Sequence, residues 1–70
     1  MSMCEIEITR VSDGNRHYFR YLEEVAEWLT RWYAREVYVS DLESQIDTPY
    51  EGCDFIVFGE KYHLKINKEE

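Results

Sequence analysis

Between Arg35 and Lys61 this chain has no lysine, arginine or histidine. The gap lets negative charge accumulate unopposed. Within it lie seven acids: Glu36, Asp41, Glu43, Asp47, Glu51, Asp54 and Glu60. Outside it eight acids face eight bases, so the net charge of −7 belongs to this one window. Phosphate contacts need clustered Lys and Arg, so direct binding to nucleic acid is not expected. An anionic membrane surface is disfavoured by the same repulsion.

Other scarcities narrow the class further. Two cysteines, Cys4 and Cys53, are too few for a disulfide framework. Taken with His17 and His63, they match no compact metal-ligand spacing, so both thiols read as core residues and no metal or cofactor is expected. With three glycines and one proline, the chain offers no Gly-rich phosphate loop, no nucleophile elbow and no H-E-x-x-H. A chain this short also has little volume for a substrate cleft, and no catalytic residue is expected. The longest uncharged apolar run is Phe55-Ile56-Val57-Phe58, against the roughly 20 residues of a membrane span. Met1-Ser2-Met3-Cys4-Glu5 shows neither the basic nor the apolar region of a signal peptide, so a cytoplasmic location is expected.

What is present reads as one α+β domain over residues 1–70. Two Trp, six Tyr and three Phe supply large buried areas to a chain whose size limits its core. Cys4, Ile6 and Ile8 alternate with Glu5, Glu7 and Thr9, the period of a half-buried strand. Asp13-Gly14 suits a two-residue hairpin turn, and a return strand is expected over Arg16–Arg20. That register sets Ile8 opposite Phe19 inside and Glu7 opposite Arg20 outside.

From Tyr21 to about Arg35, Leu22, Val25, Ala26, Leu29, Trp32 and Tyr33 recur at helical spacing, widened by Trp28. Trp28 and Trp32 therefore read as core. Val37-Tyr38-Val39 reads as a short strand. Ser40-Asp41-Leu42-Glu43 has the form of a capping box opening a short helix over Asp41–Ile46. A loop over Asp47–Gly52 contains Pro49. A second hairpin is expected with Gly59-Glu60 as its turn, pairing Phe55 with Leu64, Val57 with Tyr62 and Asp54 with Lys65. The expected order is β-β-α-β-(short α)-β-β: two hairpins and a short strand forming a small antiparallel sheet packed on one main helix.

Two candidate surfaces follow. The first is acidic: Glu36, Asp41, Glu43, Asp47, Glu51 and Asp54, with Tyr38 and Tyr50 as aromatic anchors, would meet a basic surface of a protein partner. With Glu43 taken as a cap and Asp54 facing a lysine, its effective part is Glu36, Asp41, Asp47 and Glu51. The second is apolar: one helix covers one sheet face, leaving Tyr18, Ile56, Phe58 and His63, with Thr9 and Val11, on the other. A second copy of the chain, another protein, or segment 36–52 folding back would cover that face.

Small size and segregated negative charge resemble those of phage- or mobile-element-encoded inhibitors, anti-CRISPR and anti-restriction proteins among them. The resemblance is one of type and carries no motif. It implies a non-enzymatic protein that occupies a nucleic-acid-binding surface of its target. The alternative is an oligomerising module that associates through the apolar sheet face.

Overall fold

The computed structural model describes residues 3–69. Six elements follow one another: β1 (Met3–Arg10), β2 (Arg16–Phe19), α1 (Leu22–Tyr33), α2 (Val39–Gln45), β3 (Cys53–Val57) and β4 (Glu60–Glu69). The strands form one antiparallel sheet in the order β2-β1-β4-β3. Each hairpin supplies an edge and a central strand. The centre is the long seam between β1 and β4, paired from Met3↔Glu69 to Arg10↔Tyr62.

The two helices pack against one face as a two-layer α+β domain. Ile6 and Ile8 of β1, Phe55 and Val57 of β3, and Tyr62 and Leu64 of β4 are buried under Val25, Ala26 and Leu29 of α1 and Leu42 of α2. Cys53 lies half-buried at the rim of this core as a free thiol. The side chain of Cys4 lies outside the described residues.

Both hairpins lie two residues out of the expected register. In the first, Ile6, not Ile8, faces Phe19, while Ile8 faces His17 and Glu7 faces Tyr18. Arg20 lies beyond β2 and so makes no cross-strand pair with Glu7. The connection runs over Val11–Gly14, closed by Arg10 N–H to Asn15 O (2.9 Å) and Gly14 N–H to Arg10 O (2.8 Å). A two-residue type I′ turn needs positive φ at both centres, and only Gly14 has it (75°). Asp13 instead accepts from Asn15 N–H (3.0 Å) and Arg10 Nη1 (2.9 Å). Those two bonds fix the wider loop.

The second turn is Phe58-Gly59, with φ of 48° and 82°, not Gly59-Glu60. Its register stacks Phe55 on Tyr62 (centroids 5.4 Å apart) and sets Asp54 opposite His63 in place of Lys65. A shift of two leaves the side chains within the strands on their expected faces, because the strand period is two.

Between the helices there is no strand. Val37 and Tyr38 are irregular and Val39 already opens α2. The reason is local. α1 ends at Ala34, in the left-handed conformation (φ 55°), and the Thr30 hydroxyl holds the departing chain. That hydroxyl donates to Ala26 O (2.8 Å) and accepts from Val37 N–H (3.0 Å), so Val37 is tied to a helix and not to a sheet. The N-cap of α2 is Tyr38, with no side-chain capping bond, so the Ser40/Glu43 box does not form. Instead Glu24 of α1 accepts from the backbone N–H groups of Arg20 and Tyr21 (2.9 and 3.1 Å). No helix among the described residues is long and apolar enough to cross a membrane.

Candidate functional site

The sheet face opposite the helices is polar, contrary to the apolar expectation. The register brings Glu5, Glu7 and Thr9 of β1 alongside Asn67, Lys65 and His63 of β4. Arg16 and Tyr18 flank them on β2, and Asp54 and Ile56 on β3. His63 Nδ1 bonds the Asp54 carboxylate at 2.8 Å, and Lys61 lies 3.5 Å from its other oxygen. The His63 bond, aided by Lys61, holds Asp54 below the usual carboxylate range. Gly52 lies against the imidazole: at φ 104°, a Cβ there would stand 2.9 Å from Nε2.

Tyr18, Ile56, Phe58 and His63 therefore do not form one patch. Tyr18 and Ile56 occupy opposite edges of a four-stranded sheet, about 14 Å apart across three strand spacings. Phe58 is in the turn, its ring edge-on to Tyr33 of α1 at 5.2 Å and under the Arg35 guanidinium at 4.5 Å. Within segment 36–52, α2 lies on the helical side, where Leu42 anchors it to the core, while Pro49 O accepts from Ile66 N–H of β4 and Gly52 meets His63.

Charge is instead divided along the chain. Residues 20–52, which build the helices and their connections, carry eight acids and three bases. Glu36, Asp41, Glu43, Asp47 and Glu51 are all exposed, as are Tyr38 and Tyr50 at 57% and 56%. None of these five acids belongs to an ion pair among the described residues, whereas Asp13, Glu27 and Asp54 are paired with Arg10, Arg31 and Lys61. Glu43 joins the effective set because it caps nothing. Asp54 leaves it. Glu60, half-buried at the start of β4, lies near enough to Tyr33 to help raise its pKa.

Glu36 and Asp41 meet part of the apolar set in a groove of about 280 Å³ between α2 and β3. Val37, Leu42, Ile56 and Phe58 supply apolar surface there. Gln45 closes one side with a two-point clamp on the sheet edge: Ile56 N–H donates to its Oε1 (2.9 Å) and its Nε2 donates to Ile56 O (3.0 Å).

The buried Arg10 and the aromatic residues around it also escape a sequence reading. Arg10 continues the inward alternation of β1 and is 8% exposed. Its guanidinium lies 4.4 Å from the Trp32 ring and bonds Asp13, while its Nε has no partner. The Tyr62 hydroxyl and the Asp13 carboxylate favour its charged form. Trp32 is thus a 57% exposed cover on a buried cation, not core. Trp28 is half-buried, in ring contact with His17, Phe19 and Tyr62. Tyr33 and Tyr62 share a hydroxyl–hydroxyl bond; burial first, then that bond, pushes the Tyr33 phenol far up. The even parity of Arg10 with Ile6 and Ile8 is the signal that could have exposed this cluster.

Among the described residues no group of three His, Cys, Asp or Glu side chains is placed to hold a metal. Comparison of the chain with protein-family models, with curated proteins and with solved structures gives no match.

Proposed function

We propose that this chain is a small binding protein without catalytic chemistry that occupies a basic surface of a protein partner. The observation that carries this reading is the set of five exposed acids without an ion-pair partner over residues 36–51. Like charges concentrated on a short segment oppose folding mildly and project a field that draws in cationic surfaces. A solubilising surface would interleave both signs, as α1 does with Glu27 and Arg31. A target whose basic surface serves nucleic acid would be blocked by such a segment, in the manner of the phage-type inhibitors that the chain resembles in size and charge. Neither nucleic acid nor a membrane is a partner in this reading.

Pull-down from a candidate host lysate at low and high salt tests it, with Asp41→Asn, Glu43→Gln and Asp47→Asn combined in a parallel sample. Capture should fall with salt and with neutralisation. Identical partners retained by the neutralised variant at both salts would refute it.

A further inference from the structure

We infer that the groove between α2 and β3 receives a partner segment in which an apolar side chain is flanked by Lys or Arg. The inference rests on the acidic reading above and adds where contact is made and which side chain inserts. At about 280 Å³ the groove lies just below the usual range of small-molecule sites and has room for one or two side chains. Its lining carries Glu36 and Asp41, and the one nearby base, Arg35, stands over Phe58, so the carboxylates favour a cationic flank. Its apolar wall includes Ile56 and Phe58, 55% and 47% exposed.

Phe58 is the more telling of the two. It occupies the first central position of a type I′ turn at φ 48°, where Asn or Gly is preferred and a bulky residue is strained. Half its surface remains in water, so burial within this chain does not account for the ring. The Arg35 guanidinium already stands over it at 4.5 Å, a sign of the attraction that a ring offers to cations. The occupant does not extend the sheet at this point, because Gln45 holds both outward backbone groups of Ile56. It engages through side chains.

The test uses the full chain and three labelled pentapeptides: Lys-Lys-Leu-Lys-Lys, the same with Ser for Leu, and Glu-Glu-Leu-Glu-Glu. Affinity is read by fluorescence polarisation and location by amide chemical shifts. The Lys/Leu probe should bind about tenfold more tightly than the Lys/Ser probe, the scale of burying much of one leucine. Its shifts should centre on Val37, Gln45 and Ile56, and the Glu/Leu probe should not bind. Phe58→Asn, which creates the favoured Asn-Gly turn, should erase the tenfold preference while the protein stays folded. Ile56→Ser, at an exposed position, should act in the same direction. Equal, salt-sensitive binding of both Lys probes would overturn the groove and leave the acidic reading standing. Binding of neither would overturn both, and a preference that survives both variants would overturn the groove.

Discussion

Gln45 offers the sharpest perturbation of this fold, because one exposed amide completes an edge strand. Its two bonds to Ile56, 2.9 and 3.0 Å long, would each contribute about 0.5–1.5 kcal/mol if buried. At a sheet edge the freed groups reach water, so Gln45→Ala should lose only about 1 kcal/mol in total. In a domain of this size that is a fall of roughly 4–8 °C in Tm. Gln45→Glu is the more discriminating change. Its carboxylate can still accept from Ile56 N–H, but the second oxygen would face the Ile56 carbonyl where an N–H donated. Near pH 7 it should be less stable than Gln45→Ala. The neutral acid supplies an O–H donor, so the folded pKa of that carboxyl is raised above the ordinary value of about 4.3. The stabilising form is then fully present below about pH 4 and lost as pH rises through the raised value. Urea unfolding followed by tryptophan fluorescence near pH 7 and below pH 4 measures the gap, and hydrogen exchange at the Ile56 amide localises it. If Gln45→Glu matches Gln45→Ala at both pH values, or Ile56 exchanges no faster in either variant, the clamp does not support the edge.

Other residues give further tests. Gly52→Ala combines a φ of 104° with a Cβ 2.9 Å from His63 Nε2; it should cost about 1–3 kcal/mol and, by displacing His63, let the Asp54 pKa climb toward its ordinary value in an NMR titration. Asp54, depressed by His63 and Lys61, stabilises the fold above the ordinary aspartate pKa of about 3.9, and that contribution disappears as pH falls through the lowered value. Asp54→Asn should therefore flatten the acid limb of the stability profile, leaving the part due to Asp13, which the Asn15 N–H and Arg10 depress in the same direction. Tyr33→Phe removes a hydroxyl partner of the fully buried Tyr62 hydroxyl and should cost about 1–3 kcal/mol in thermal or urea unfolding. Since the Tyr33 phenol is raised in the folded state, the native protein should lose stability as pH climbs above about 10, where the unfolded chain sheds that proton first. A Tyr33→Phe alkaline limb as steep as the native one would contradict this.

Much of the architecture was legible because strand and helix periods are local properties. Ile6 and Ile8, Phe55 and Val57, and Val25 and Leu29 declare their buried sides by spacing alone, and a two-residue slip in register leaves those sides unchanged. The register itself was not legible. It depends on Asp13 bonding Arg10 and Asn15 and on Phe58 accepting positive φ, neither of which a turn dipeptide reveals. The strand expected at Val37–Val39 failed for a related reason: β propensity describes fit to a sheet, and Thr30 holds this segment away from one. The acidic segment was visible as composition, whereas its meeting with Ile56 and Phe58 required the packing of α2 beside β3. The apolar face does not form because Phe58 turns the chain, Tyr18 and Ile56 lie at opposite edges, and polar residues of β1 and β4 stand between them.

The pairing of β1 with β4 separates this fold into two time regimes. Each hairpin closes over a few residues, an event of microseconds. The seam joins Arg10 to Tyr62 and must bring together the ends of a loop of about 50 residues, an entropic barrier of roughly 3.5 kcal/mol. The whole acidic segment lies inside that loop and repels itself as the loop contracts. Refolding of this chain should therefore quicken as salt is added, although salt would weaken any charge-driven capture by a partner. The charges proposed to find a target would be the same charges that slow the assembly of the surface displaying them.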